Sequence, residues 1–254
     1  IKGLGEGPIE AIVAGRQDRP YTDMYDFCHR VDARKVNKRA VEALIGSGAL
    51  DNLIDERQVP DDVNPIDFKR ALLLANQHDA VKTAEQKSRN EDSGLTDLFG
   101  EDMMSASNES GCPYNYIEGL RCVSFKDRLN REKDTLGLYL TGHPIDLYKK
   151  ELRYFAKTRI VDLRASKDVQ TVAGLIVGLR TMKSKRGETL AFVTLDDRSG
   201  RLEVSVFADL FEANHTKLQK DQLVVMKGSL SADDFSGGLK MRAAEVLDLL
   251  EARE

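Results

Sequence analysis

The 254 residues predict a multidomain α+β chain: an all-α front, a polar tether, a further helical segment and a small five-stranded β-barrel. Three observations carry this. Apolar residues recur at helical spacing up to about Ala84, and again over residues 125–140. Residues 85–116 are acidic and rich in Ser, Gly and Asn, with no sustained period. From Thr158 onward the period shortens to the alternation of half-buried strands.

The first element is a glycine-punctuated turn, Ile1-Lys2-Gly3-Leu4-Gly5-Glu6-Gly7-Pro8, leading into a helix over 8–15 with Ile9, Ile12 and Val13 on one face. Glycine lets an anion approach the backbone closely, and a helix N-terminus favours negative charge. Gly3, Leu4, Gly5 and Gly7 are therefore candidates to hold a DNA phosphate, as one hairpin of a helix-hairpin-helix motif. The chain opens on this turn without a Met, which predicts a piece of a longer protein with the motif's first helix upstream.

A helix over 24–31 follows. Another over 36–45 turns Val36, Val41, Leu44 and Ile45 inward and runs into Gly46-Ser47-Gly48. Either glycine turn alone also reads as an ordinary helix cap. Two in about 50 residues point to a tandem duplex-binding domain over 1–54, with Gly46, Ser47 and Gly48 as its second set of contacts.

Asn64 caps the next helix, with Pro65 at its first position and Phe68, Leu72 and Ala75 repeating toward Ala84; this is a helical extension over 55–84. The tether over 85–116 contains one apolar island, Leu95-Thr96-Asp97-Leu98-Phe99-Gly100. With no core to enter, it is a surface patch or a linear motif that orders on a partner. A helical connector over 117–157 holds a helix at 125–140, with Leu129, Leu136 and Leu140 inward. It stops at Thr141-Gly142-His143-Pro144. His143, beside that stop, reads as structural rather than catalytic.

Strands are expected at 171–182, 190–196, 202–207, 223–231 and 239–249, with a helix at 208–218 after the third. That order is the order of an OB barrel, placed at 158–254. Lys183, Lys185 and Arg186 fall in its first loop, and Arg198, Arg201 and Lys240 flank its second and third strands. Phe192 and Phe207 are candidates to stack on bases of a single strand. Both alternate with Val and Leu, so at least one is expected in the core. Charge over 158–254 is balanced, which predicts weak, salt-sensitive binding.

A net charge of −4 excludes a generally basic nucleic-acid coat. Three cysteines without C-x-x-C spacing and four scattered histidines form no readable zinc site or disulfide framework, and imply a reducing compartment. No apolar run approaches the roughly 20 residues that span a bilayer, and no signal-peptide pattern is present, so the chain is expected in the cytoplasm, away from membranes. Asp196-Asp197 and Asp233-Asp234 sit where turns favour Asp, and no P-loop or nucleophile elbow occurs. No catalytic residue and no metal ligand is expected in these 254 residues.

Four segments resemble the bacterial replicative family C DNA polymerases, the DNA polymerase III alpha subunits, in their C-terminal part. They are the opening Ile1-Lys2-Gly3-Leu4-Gly5-Glu6-Gly7-Pro8-Ile9-Glu10-Ala11-Ile12, then Gly137-Leu138-Tyr139-Leu140-Thr141-Gly142-His143-Pro144, and two barrel stretches. The latter are Leu195-Asp196-Asp197-Arg198-Ser199-Gly200-Arg201-Leu202-Glu203-Val204 and Asp233-Asp234-Phe235-Ser236-Gly237-Gly238-Leu239-Lys240. The resemblance covers essentially the whole chain.

It implies a DNA-directed DNA polymerase as the full-length protein, with its Mg2+-dependent palm, phosphoesterase-like domain, thumb and most of its fingers before this region; no cofactor is implied within these residues. It implies duplex and single-stranded DNA as partners, and other holoenzyme subunits, tau among them, through parts of the chain beyond these residues. It further implies a beta sliding clamp contact at Leu95, Asp97, Leu98 and Phe99, with Leu95 where such motifs carry Gln and binding therefore weakened. Of two other readings, NAD-dependent DNA ligases carry these modules in the opposite order and with an adenylated lysine motif absent from this sequence, which leaves a stand-alone OB-fold and helix-hairpin-helix binder of tRNA or single-stranded DNA as the alternative.

Overall fold

The computed structural model describes residues 1–92, 114, 119–184, 187–232 and 237–253, and divides into two compact units, Ile1–Thr141 and Gly142–Glu254.

The first unit is helical. Its elements are α1 (Glu6–Gly15), α2 (Met24–Arg30), α3 (Lys38–Ser47), α4 (Pro65–Asp92) and α5 (Phe125–Leu136). The starts follow capping chemistry: the side chains of Asp23, Asn37 and Ser124 accept from the backbone N–H three residues on, and Asn64 accepts from Ile66 and Asp67. One core gathers Met24 and Phe27 from α2, Val41, Leu44 and Ile45 from α3, and Phe68, Leu72 and Leu73 from α4. The segments expected as hairpin domain, extension and early connector thus fold together, with α4 packing on α2 and α3, and α3 on α5.

Four local expectations change. On α1 it is Ala11 that is buried and Ile12 that packs on the core, while Ile9 and Val13 are exposed. Helix α4 runs to Asp92, two turns past Ala84 and into the expected tether. Tyr114, also inside that stretch, is buried, its hydroxyl accepting from the Met24 N–H and donating to the Leu53 carbonyl. Helix α5 ends at Leu136 because Gly137 caps it in the left-handed conformation (φ 81°); Leu140 lies beyond it and is exposed.

A polar network crosses this core. Arg70, almost fully buried on α4, donates to Asp51 (Nη2 to Oδ2, 3.1 Å) and to Glu132 (Nη1 to Oε1, 2.8 Å). Glu132, wholly buried on α5, also accepts from the N–H groups of Leu140 and Thr141 and from the Thr141 hydroxyl. Burial alone would push the Glu132 carboxyl up, but these donors outweigh it and hold the group below the usual glutamate range. At Asp51 burial wins over Arg70, and the carboxyl is raised.

The second unit opens with a 3-10 turn (Pro144–Leu147) and α6 (Lys149–Phe155). The barrel follows: β1 (Ser166–Lys183), β2 (Thr189–Asp196), β3 (Arg201–Val206), α7 (Ala208–Asn214), β4 (Leu223–Ala232) and β5 (Leu239–Leu247). It is closed in the order β1-β2-β3-β5-β4, with β3 and β5 parallel and the other pairs antiparallel. β1 is long enough to pair with β4 through its first half and with β2 through its second, bending at a bulge between Ile176 and Gly178. Val193, Leu195, Val204, Val206, Val224 and Met226 fill the interior. Among the described residues no helix is long and apolar enough to cross a membrane.

Candidate nucleic-acid interface

At the first hairpin Gly5 is the N-cap of α1, with no side chain capping the helix. The N–H groups of Glu6 and Gly7 lie in the first turn, where a helix supplies no acceptor, and neither they nor those of Gly3 and Gly5 bond to a carbonyl among the described residues. Leu4 anchors the turn by packing on the core. Gly5 has ordinary φ (−84°), and a Cβ added to it or to Gly7 would meet nothing within 4 Å. Neither internal packing nor backbone conformation demands glycine at Gly5, so what its missing side chain leaves is open space over unbonded donors. That is the geometry of an anion cradle.

The second hairpin is built differently, and the expectation of matching contacts there is corrected. Gly46 and Ser47 lie buried inside α3, and the Ser47 hydroxyl donates to the Leu44 carbonyl. Gly48 is the left-handed C-cap (φ 82°): its N–H bonds the carbonyls of Ile45 and Leu44, and the Ala49 N–H bonds Leu44. A Cβ at Gly48 would run into the Arg70 guanidinium and lie 3.0 Å from Asp51 Oδ2. The donors are spent on the helix end and the concavity is filled by Arg70. This glycine turn is a cap.

On the barrel, β2 and β3 alternate strictly, Val193, Leu195, Val204 and Val206 in, and Phe192, Thr194, Glu203 and Ser205 out. Both candidate phenylalanines face outward, contrary to the expectation that one fills the core. Phe192 is half-buried, and Phe207, just after β3, is 45% exposed. Each carries an arginine: Arg180 Cζ lies 5.7 Å from the Phe192 ring centroid and Arg242 Cζ 4.5 Å from that of Phe207. The register puts Arg180 opposite Phe192, Phe192 opposite Ser205, and Ser205 opposite Arg242, a row across four strands. Arg180 also pairs with Glu203 at 2.7 Å, which partly neutralises the face.

Neither arginine was among the sequence candidates. Arg242 was within reach, two residues beyond Lys240 on the same strand and hence on the same side. Arg180 needed the β1–β2 register, which the bulge shifts.

The remaining candidates separate. Lys183 ends β1 and is exposed, and Lys240 is aligned with Glu203. Arg201 lies at the far end of β3 and pairs with Asp196 at 3.0 Å. Arg198, at positive φ (74°) in the β2–β3 turn, is drawn off the aromatic row by Asp146 at 2.7 Å. Lys185 and Arg186 lie outside the described residues, as do Leu95, Asp97, Leu98 and Phe99.

His143, Asp196 and Asp197 have structural partners. The His143 Nδ1 accepts from the Ile145 N–H at 3.3 Å, Nε2 lies 3.6 Å from Asp196 Oδ1, and the His143 N–H donates to Asp146. Burial lowers the imidazole pKa against the pull of Asp196, so the ring is neutral at pH 7. Asp197 accepts from the N–H groups of Ser199, Gly200 and Ile160, the turn chemistry expected of it. Asp233 and Asp234 are outside the described residues, among which no group of three or more His, Cys, Asp or Glu is placed to hold a metal ion.

Comparison with known proteins agrees with this division. A family profile described as a helix-hairpin-helix motif matches residues 1–59, and one described as an OB-fold nucleic acid binding domain matches 170–249. Three relatives are named DNA polymerase III subunit alpha. That of Pseudomonas aeruginosa is 51% identical over 258 residues, covering 100% of this chain and 22% of the relative. That of Pseudomonas fluorescens is 50% identical over 256 residues, with the same coverage. That of Escherichia coli K12 is 42% identical over 260 residues, covering 100% and 21%. The chain spans about a fifth of the length of these relatives. Along its whole length the chain is similar to the C-terminal part of bacterial DNA polymerase III alpha subunits, and it carries a helix-hairpin-helix motif and an OB-fold in that order.

Proposed function

We propose that this chain is a non-catalytic DNA-handling region of a replicative DNA polymerase, acting in the cytoplasm and supporting processive synthesis by chemistry performed elsewhere in the protein. The observation that carries the proposal is the pair of outward phenylalanines on the barrel, each under an arginine. A base stacking on either ring would gain roughly 1–3 kcal/mol without regard to sequence. The single-stranded template is the natural occupant of such a face. The open amides at Gly3, Gly5, Glu6 and Gly7 would hold a phosphate of the duplex, a contact indifferent to sequence. Leu95, Asp97, Leu98 and Phe99 would engage the beta sliding clamp. Clamp attachment would raise the local concentration of DNA, so each contact can stay weak.

Binding of the 254-residue chain to fluorescent single-stranded and duplex DNA tests this. Phe192→Ala with Phe207→Ala should weaken single-strand binding by about tenfold or more and leave duplex binding nearly unchanged. Gly5→Val should do the reverse. Indifference of single-strand affinity to the phenylalanine pair, or tighter binding of folded tRNA than of single-stranded DNA, would overturn the template reading. For the clamp, a peptide over 93–100 should bind saturably, and Leu95→Gln should tighten it by about two- to tenfold, the value of one side-chain hydrogen bond. No saturable binding by either peptide would remove that contact.

A further inference from the structure

A cleft of about 450 Å³ opens in the second unit between the Pro144–Leu147 turn, α6 and the β2–β3 turn. Its floor is apolar, made by Ile145, Leu152, Ala156 and Ala173. Lys149 and Arg153 stand one helical turn apart on α6, and Lys157 follows just past the helix end; all three line the cleft and are exposed. None has an ion pair or side-chain hydrogen bond among the described residues.

The carboxylates of the same cleft are already committed. Asp146 accepts from Arg198 at 2.7 Å and from the His143 N–H at 3.0 Å. Asp162 accepts from Arg159 at 2.9 Å, and Asp197 is turned into its own turn by the N–H groups of Ser199 and Gly200, the Ser199 hydroxyl and the Ile160 N–H. The two ion pairs cancel, leaving three cations against the one unpaired carboxylate of Asp197, so the cleft carries net positive charge and its cations repel one another until an anion sits between them.

We propose that this cleft is a phosphate-binding site that anchors the backbone of a single nucleic-acid strand, distinct from the aromatic row. Three cations along one edge match successive phosphates, and the apolar floor accepts a sugar or a base edge. The β2–β3 turn that walls the cleft ends the strand carrying Phe192 and begins β3, with Phe207 just past the far end of β3. About 13 Å of strand separates Phe192 from Asp196, where that turn begins, so one oligonucleotide can touch both. The cleft's preference for anions stands on its own geometry. The choice of nucleic acid as the anion rests on the reading of the barrel above.

The test is the salt dependence of oligodeoxythymidine binding to the 254-residue chain. Lys149→Ala, Arg153→Ala and Lys157→Ala together should lower the slope of log K against log salt by about 2, at about 0.7 per phosphate contact. All three side chains are exposed, so the fold should survive, and circular dichroism checks it. Phe192→Ala with Phe207→Ala should weaken binding while leaving the slope intact. An unchanged slope in the triple variant overturns the cleft. So does saturable binding of a glutamate-rich peptide that the triple variant loses while oligonucleotide binding stays normal, since the ligand would then be an acidic protein segment. A reduced slope with no effect of the phenylalanine pair upholds the cleft and removes the stacking face instead.

Discussion

Replacing Gly48 by Ala should destabilise the helical unit while leaving DNA affinity alone, because this glycine faces Arg70 rather than a phosphate. Two costs combine. The left-handed backbone (φ 82°) costs a residue with Cβ roughly 1–2 kcal/mol. The added methyl would also displace a guanidinium held by Asp51 and Glu132 and almost without solvent exposure. Loss of one charge-assisted hydrogen bond there costs about 1.5–3 kcal/mol. The expected loss is about 2.5–5 kcal/mol, a large share of the 5–15 kcal/mol typical of a domain. Urea unfolding followed by far-UV circular dichroism measures it. Gly48→Asn separates the two costs, since Asn tolerates the left-handed region but still brings a Cβ against Arg70; it should recover only the backbone part. A loss no larger than the backbone cost of about 1–2 kcal/mol for Gly48→Ala would refute the fixed position of Arg70. A fall in duplex affinity at full folding would refute the capping role.

Three further outcomes are expected. Folding of the second unit should weaken as pH falls through about 6.5, because the unfolded imidazole of His143 takes a proton that the buried ring resists; the contribution is complete above that pH, and a thermal-melt series should lose this slope in His143→Asn. In a carboxyl NMR titration Glu132 should ionise below, and Asp51 above, the ordinary carboxylate values, so that Glu132 stabilises near neutrality and loses this as pH falls through its folded pKa; reversed order would mean that Arg70 bonds Asp51 more strongly than Glu132. Cys28, buried, with its thiol pushed up to about 12, should resist alkylation at pH 8 and react after the partly exposed Cys122, whose thiol is raised less, as peptide mass spectrometry would show.

What the sequence disclosed follows from how local each signal is. The barrel was legible strand by strand, because alternation reports a face directly and Asp196-Asp197-Arg198-Ser199-Gly200 is a turn by its own chemistry. The helix starts were legible from Asn64-Pro65, but the end of α4 was not, since a polar helix has no period to follow past Ala84. Gly48 looked like Gly5 because both follow one grammar; only Arg70, distant in sequence, distinguishes a filled cap from an open cradle. Phe192 and Phe207 were ambiguous for the same reason. Alternation fixes which residues share a side, and closure of the barrel decides which side is inside.

The parallel β3–β5 pairing has a consequence for synthesis. As the chain leaves the ribosome, β1, β2 and β3 can form a meander at once, yet the outer edges of β1 and β3 find their partners only when β4 and β5 emerge. Until residues 239–247 are made, β3 offers a row of unpaired amides and carbonyls beside an apolar interior. The last strand is thus a timing device: a ribosome stalled before it holds a sheet ready to pair with any neighbouring nascent chain.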